Sequence, residues 1–337
     1  MKDEIKDSYN ACKKLYRDII FGYSENRVGE FKEKVFIKHL DELDAGMTDR
    51  EYDDYLFIAQ ERGLKKEKEA LEFIIEQGLW TEEKEKNLSS SRDHLKTLES
   101  TRKKLIIKSQ IQSLDEEIKP IREKVYLLSH ERTESIGLTA ESFASKKVNE
   151  YMVQKAFYKD RELNELLYTE EEFDIIESEE LTELMNCFAD THSSFNDEQM
   201  KLIAVCPFFM NVFSICGENA YTFFDKPIVQ LTNFQVSLLN SARYIRSLVI
   251  NSKSAPEEYY KSPKKLCEWY ELQDKTKQVK DGLSQQGDAG GATIMGANKE
   301  ELKTLEKDDE DEVVDLNKLA QEKGSISFDE LMDLHGL

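Results

Sequence analysis

The stretch from Lys201 to Ile250 constrains the fold of this chain more than any other part of the sequence. It reads KLIAVCPFFMNVFSICGENAYTFFDKPIVQLTNFQVSLLNSARYIRSLVI, and no other part combines apolar and aromatic residues so densely with so few charges. Such a stretch is stable in water only when most of its apolar surface is buried. We therefore expect the rest of the chain to fold around it.

The scarcity of turn residues favours an all-α fold. The 337 residues include only 5 prolines and 14 glycines, too few for the turns of a sandwich or barrel. Charged residues make up 34% of the chain, which is typical of helices with one polar and one apolar face. The predicted parts are a multi-helix N-terminal unit (1–80), a helical hairpin or coiled-coil arm (81–136), an aromatic-rich helical core domain (137–281), a flexible linker (282–298) and an acidic C-terminal tail (299–337).

Apolar residues at helical spacing, each set followed by a glycine, predict four helices in the N-terminal unit. The second of them would bury Phe31, Val35, Phe36 and Leu40 on one face. The third would begin at a capping box, in which a threonine and a glutamate satisfy two free backbone amides. The predicted helices are 3–21, 27–43, a third opened by Thr48–Glu51 and closed by Gly63, and 66–76.

Residues 81–136 carry a heptad seam, which predicts two packed helices. The seam breaks near Ser109, and a capping box at 113–116 indicates antiparallel helices over 81–107 and 114–136. Pro120 costs about 3 kcal/mol in a helix interior, and less near a helix start. The arm either projects as a contact and oligomerisation surface or folds flat on the core. The seam residues are Leu88, Leu95, Leu98, Leu105, Ile111, Leu114, Ile118, Ile121, Val125 and Leu128.

Capping residues predict where the helices of the core domain begin. Pro207 is expected to split the helix that starts after Asn196, and Pro263 is expected at the first position of a helix. The predicted start signals are Thr139, Thr169, Ser178, Asn196, Thr232 and Pro263.

The acidic tail combines a charge run with apolar anchors. Residues 299–337 contain thirteen acidic and five basic residues. Four anchors near its end recur at helical spacing: Phe328, Leu331, Met332 and Leu334. Either this segment folds onto a groove, in the same molecule or in a partner, or it docks loosely or not at all.

Charge and cysteine content exclude several classes of protein. A formal charge of −21 repels phosphate backbones and anionic lipids, so we expect no nucleic-acid or membrane partner. The basic clusters at 102–104 and 261–265 are typical of solvated helix faces. Five widely spaced cysteines indicate reduced thiols, and the apolar run 202–216 is too short to cross a membrane. These features, with no apolar signal core at the start, predict a cytoplasmic protein.

The sequence lacks the patterns of familiar catalytic, metal and cofactor sites. It contains no GxGxxG, GxxxxGK[ST], GxSxG, HExxH or CxxC. None of the five histidines has another histidine at helical metal-site spacing. We therefore expect a protein that is not an enzyme and binds no cofactor or metal.

Part of the chain resembles a family of viral proteins. The segment CPFFMNVFSICGENAYTFFDKPIVQLTNFQVSLLNSARYIRSLV, preceded by FDIIESEELTELMNCF, resembles proteins of the tail and baseplate gene clusters of contractile-tailed bacteriophages. The stretch FGYSENRVGEFKEKVFIKHLDELDAGMTDREYDDYLFIAQERGL is similar to short helical units of phage tail proteins. The main resemblance covers residues 140–272. It implies a structural or assembly role in the infected host's cytoplasm, as a chaperone or as part of the virion, and it transfers no functional residue.

These observations lead to two hypotheses. The first is a non-enzymatic protein-interaction factor, a phage tail or baseplate assembly component whose central aromatic residues frame a partner surface. The second is a cellular coiled-coil scaffold or adaptor that binds through 81–136. The candidate partner-binding residues are Phe208, Phe209, Phe213, Tyr221, Phe223 and Phe224, with the four anchors of the tail.

Overall fold

A computed structural model of the chain describes residues 2–29, 33–105 and 108–284. The acidic tail with its four anchors, Phe328, Leu331, Met332 and Leu334, lies outside the described residues, as do Phe31 and most of the predicted linker. The last described helix reaches Ser284, so the predicted linker boundary at 282 falls within a helix.

The described residues are mostly helical, as predicted, and also form a small sheet. The elements are α1 (Lys2–Phe21), β1 (Tyr23–Val28), β2 (Glu33–Lys38), α2 (Glu42–Glu61), α3 (Glu67–Glu76), α4 (Glu82–Lys104), α5 (Lys108–Ile136), α6 (Ala140–Ala156), β3 (Phe157–Tyr158), α7 (Glu170–Asp174), α8 (Ser178–Ser193), α9 (Asp197–Ala204), α10 (Pro207–Ile215), α11 (Ala220–Phe224), α12 (Asn233–Asn251) and α13 (Pro263–Ser284), with 3-10 helices at Ile228–Gln230 and Tyr259–Lys261.

The predicted helix over 27–43 is wrong, because β1 and β2 form an antiparallel pair there. Tyr23 lies opposite Lys38, and β3 extends the sheet by pairing Phe157 with Ile37. Gly29, with a φ of 78°, allows the chain to turn after β1. The run Glu33–Lys38 is rich in β-branched and aromatic residues, which favour strands, but a short apolar run also fits a buried helix.

Helix α2 begins before the predicted capping box, so that prediction is also wrong. Asp41 caps the helix by accepting hydrogen bonds from the amides of Leu43 (2.9 Å) and Asp44 (3.0 Å). Asp44 closes the box by accepting from the Asp41 amide at 3.0 Å. Thr48 lies inside the helix, where its hydroxyl donates to the Asp44 carbonyl at 2.7 Å.

Most of the other predicted start signals are confirmed. Thr139, Thr169 and Thr232 cap α6, α7 and α12 with complete capping boxes, and Asn196 caps α9. Pro207 splits the central helix as predicted. Ser178 is the first residue of α8 and supplies no cap, because Glu177 occupies the cap position.

The described chain divides into two compact units. The first combines the described residues of 1–74 with 136–271, and the second combines 75–135 with the end of α13 from Leu272. The sequence predicted an N-terminal unit of its own, whereas residues up to 74 share a unit with the central apolar stretch.

The central apolar stretch supplies most of the main core of the first unit. Helices α9, α10 and α12 bury their apolar faces together with α1 and the start of α13. A separate cluster packs the sheet against α6 and α8. The fully buried side chains of the main core include Ile19, Ile203, Phe209, Phe213, Leu238 and Ile245.

A buried polar junction joins the end of α1 to the start of α12. The Gln235 side chain is fully buried, and its amide nitrogen donates to the Ile19 carbonyl at 2.9 Å. Its oxygen accepts from the Thr232 amide at 3.0 Å. The Asn233 amide donates to the Leu40 carbonyl at 2.9 Å, which brings the chain after β2 to the same place.

Replacing Gln235 with leucine is expected to lower the free energy of unfolding by about 1–3 kcal/mol, because the buried Thr232 amide would lose its acceptor. The measurement is thermal unfolding followed by circular dichroism. The matched control is Gln60→Leu on the exposed side of α2, expected to change stability by less than about 0.5 kcal/mol. Equal losses in the two variants would contradict a special role of the junction.

In the second unit, α4 and α5 run antiparallel. Lys84 near the start of α4 pairs with Glu131 near the end of α5 at 2.5 Å, and Arg102 at the end of α4 pairs with Asp115 near the start of α5. The predicted capping box at 113–116 is wrong, because α5 already begins at Lys108. Pro120 therefore lies in the helix interior.

Candidate functional site

The six candidate aromatic residues of the central stretch occupy three kinds of position. Phe209 and Phe213 are fully buried, Phe208, Phe223 and Phe224 are half-buried, and Tyr221 is 61% exposed. The structure brings four of them together: Phe209 stacks on Phe213 at 5.7 Å between ring centroids, and Phe223 contacts Phe209 at 5.5 Å and Phe224 at 4.8 Å. The phenylalanines are therefore packing residues more than a partner surface.

A set of exposed apolar side chains belongs to the same stretch of the chain as these phenylalanines. We call it the 212–229 surface, and its members are Val212, Ile215, Tyr221, Ile228 and Val229. Ile215 is 84% exposed and Ile228 is 72% exposed. Sequence reasoning selected Tyr221 alone from this set, because apolar density indicates burial and does not show which apolar residues stay outside.

Several fixed contacts hold the segment that carries the surface. After α10 the chain turns at Glu218, whose φ is 62° and whose carboxylate pairs with Arg246 of α12 at 2.7 Å. Asn219 then caps α11 by accepting from the Tyr221 amide at 2.9 Å. Phe223 anchors α11 on α10, so Tyr221 is presented on a segment tied to the core.

The 3-10 helix at 228–230 packs against α2, which has exposed apolar residues of its own. Leu43 is 60% exposed and Met47 is 48% exposed. These two residues are four apart, so they share one face of α2. Helix α2, which contacts the 3-10 helix, therefore also carries exposed apolar side chains.

Two histidines that are far apart in sequence meet in the first unit. We call this group the histidine cluster. The rings of His39 and His192 both contact the Phe234 ring, at 4.9 Å and 5.2 Å, and His39 also contacts Phe195. The Nε2 atom of His39 lies 2.8 Å from the Ser24 hydroxyl. Helical spacing could not find this cluster, because its members come from β1, the residue after β2, α8 and the residues after it, and α12.

Burial makes both histidines poor bases. Burial, together with a smaller effect of the nearby His192, lowers the pKa of His39 to about 3. Burial also lowers the pKa of His192, although its Nδ1 atom lies 3.0 Å from the Phe188 carbonyl. Within the described ranges no three histidine, cysteine or acidic side chains are placed to hold a metal ion. The cluster is therefore a neutral, aromatic-lined part of the core.

A cleft of about 260 Å³ lies at the sheet edge and is lined in part by acidic side chains. The Tyr168 hydroxyl donates to Glu180, and the Gly29 amide donates to Glu183 at 2.9 Å. Burial and the carboxylates of Glu180, Glu33 and Glu183 raise the pKa of Tyr168. The tyrosine therefore stays protonated, and the cleft offers mainly hydrogen-bond acceptors.

All five cysteines are free thiols. Cys12, Cys206 and Cys267 are buried, which agrees with their apolar neighbours in the sequence. A hydrogen bond with Cys12 and burial raise the pKa of Cys206, and burial raises the pKa of Cys267 to about 12. Cys206 and Cys267 are therefore not nucleophiles at neutral pH, whereas the hydrogen bond with Cys206 lowers the pKa of the Cys12 thiol.

Among the helices that the structure describes, none combines the length and the apolar character required to cross a membrane. Comparisons with protein-family models, with curated proteins and with solved structures found no match to this chain.

Proposed function

We propose that this protein is a non-enzymatic protein-interaction factor that binds a partner protein through the 212–229 surface. The observation that carries the proposal is the exposure of five large apolar side chains within eighteen consecutive residues. Isolated exposed apolar residues are common on soluble proteins, but concentrations of them mark interaction sites. Burying one such side chain in an interface contributes about 1.5–3 kcal/mol.

The packing below the surface supports this proposal. Phe209 and Phe213 of α10 are fully buried, and Glu218 is bound to Arg246. A surface held in this way loses little conformational entropy when a partner binds. The exposed side chains would then contribute most of their burial energy to affinity.

The resemblance to phage tail and baseplate proteins motivates a more specific proposal for the partner. The partner would be a component of a contractile tail or baseplate, bound in the host cytoplasm during assembly or retained in the virion. This proposal rests on the resemblance of residues 140–272. Genes for sheath, tube or baseplate proteins next to the gene of this chain would support it.

The test is affinity capture of the full chain from the cells that encode it, with quantitative mass spectrometry of the bound proteins. The double variant Ile215→Glu/Ile228→Glu is expected to lose at least nine-tenths of the specific partner. The matched control is Ile175→Glu/Ile250→Glu, which adds the same charge at two other exposed isoleucines and is expected to retain the partner.

Circular dichroism checks that both variants keep the native fold. Equal partner recovery from the two variants would contradict binding through the 212–229 surface. The full chain could instead capture a specific partner that is neither a tail protein nor a virion protein. That result would contradict the phage role but would not contradict binding through the 212–229 surface.

A cellular scaffold that binds through residues 81–136 is the second candidate. Tyr126 and Leu127 on α5 favour it, because they are 67% and 60% exposed. In the same capture experiment, this candidate predicts a partner that survives Ile215→Glu/Ile228→Glu and is lost with Tyr126→Glu/Leu127→Glu.

A further inference from the structure

The interior proline of α5 lies beside an apolar groove in the second unit. The groove has a volume of about 370 Å³, and its apolar wall includes Pro120, Leu127 and Leu128. A proline inside a helix removes one backbone hydrogen bond and bends the chain away from the carbonyl four residues earlier. Asn87, Glu123 and Lys124 form the polar part of the lining, and Lys124 donates to Asn87 at 2.8 Å.

The heptad seam of the hairpin is only partly covered by the two helices. Leu88 and Ile118 are buried, with 1% and 3% exposure. The other eight seam residues are half-buried. Two helices alone leave part of such a seam in water, so a third apolar segment would be stabilised on it.

The charge of the hairpin differs from that of the rest of the chain. Residues 86–108 contain seven basic and two acidic residues, although the whole chain has a formal charge of −21. Arg102, Lys103 and Lys104 occupy the last turn of α4. The sequence segment that complements this charge is 299–337, with its thirteen acidic and five basic residues.

We propose that residues 326–334 of the same chain bind in the Pro120 groove, while the acidic run 308–312 lies along the basic part of α4. At helical spacing, Phe328, Leu331 and Met332 share one face, and the carboxylates of 329, 330 and 333 lie on the other. The apolar face fits the groove. The acidic residues are attracted to α4 and stay in water.

The connection between these segments is long enough for binding within one molecule. Helix α13 ends at Ser284, and its last residues from Leu272 belong to the same unit as the hairpin. A random-coil chain of 44 residues, the number that separates Ser284 from Phe328 in the sequence, has a root-mean-square span of about 35 Å. This span matches the length of about 35 Å of the α4 helix. Such tethering gives an effective concentration of roughly millimolar and favours the chain's own segment over a second copy.

The experiment places the photo-crosslinking residue p-benzoylphenylalanine at Tyr126 of the full chain. This position is exposed and next to Leu127 of the groove, and the replacement keeps an aromatic ring. Irradiation of a mixture of ¹⁴N and ¹⁵N chains is expected to crosslink position 126 to a peptide containing Phe328–Leu334. The crosslinked peptides should all be of one isotope, because both ends belong to one molecule.

Substitution of the anchors tests which residues bind. Phe328→Asp/Leu331→Asp is expected to reduce the crosslink at least tenfold. The matched control Leu302→Asp/Leu305→Asp adds the same charge to the same acidic segment and is expected to keep it. Crosslinks of mixed isotope would overturn the proposal in favour of a second copy, and an unchanged yield with the anchor variant would overturn it altogether. The proposal does not rest on the 212–229 surface.

Discussion

Replacing Phe209 with alanine is expected to lower the free energy of unfolding of the first unit by about 3–5 kcal/mol. Phe209 is fully buried and contacts the rings of Phe213, Phe223 and Tyr16. The substitution removes most of an aromatic side chain from a packed interior and leaves a cavity that its neighbours only partly fill. This is the largest effect of a single substitution that we expect in this chain.

The measurement is urea unfolding followed by the fluorescence of Trp269, with Trp80 replaced by phenylalanine. The chain has only these two tryptophans, and Trp269 lies in the first unit against Tyr259 at 5.3 Å. The signal therefore reports on the unit that contains Phe209.

The control is Tyr221→Ala, expected to change stability by less than about 0.5 kcal/mol because Tyr221 is exposed. Comparison of Phe209→Ala with Tyr221→Ala distinguishes a candidate aromatic residue that packs in the core from one that is available to a partner. A loss below about 1 kcal/mol for Phe209→Ala would contradict its place in the core.

Acidification is expected to destabilise the first unit through His39. The pKa of His39 is about 3 in the folded chain and about 6.5 in the unfolded chain. Below pH 6.5 the unfolded state therefore binds a proton that the folded state does not bind. The contribution of neutral His39 to stability is fully present above pH 6.5 and is lost as the pH falls from 6.5 towards 3.

The expected loss from His39 is about 2–3 kcal/mol between pH 7 and pH 4.5, since one pKa unit corresponds to about 1.4 kcal/mol. His192 acts in the same direction because burial also lowers its pKa. The measurement is the free energy of urea unfolding at pH values from 7.5 to 4.5. His39→Gln keeps a polar side chain near Ser24. This variant is expected to lose the part of the pH dependence of the unfolding free energy that comes from His39.

Phe195→Leu serves as the control for the pH experiment. Its ring contacts His39 at 4.9 Å, so this variant also weakens the histidine cluster, but it removes no titrating group. We expect lower stability at every pH and an unchanged slope. The same slope in His39→Gln and in the parent chain would show that His39 does not titrate as the structure implies.

Local signals in the sequence predicted many helix starts correctly. Capping by Thr139 or Thr232 depends on residues within three positions, so the sequence contains all the groups that take part. The splitting of the central helix at Pro207 is equally local, because a missing amide and a ring clash act within one turn.

The errors arose where pairing partners are distant or where two local signals compete. Residues 33–38 form a strand because β1 and β3 provide hydrogen-bond partners, and β3 lies more than a hundred residues away. At the start of α2, Asp41 and Thr48 are both plausible caps. The Asn233 amide of α12 donates a hydrogen bond to the Leu40 carbonyl, which directly precedes Asp41. This contact comes from a part of the chain that is distant in sequence, so local signals could not show where α2 begins.

The sequence by itself determined that the chain is mainly helical and that residues 201–250 contribute to the core, because apolar density and helix caps act locally. Only the tertiary structure decided which apolar residues of that stretch stay exposed. Phe213 is buried and Ile215, two residues later, is 84% exposed. Both are large and apolar, and they differ in whether α9, α11 and α12 cover their side of α10. The histidine cluster depends on the tertiary structure for the same reason, since only packing brings His39 and His192 to the ring of Phe234.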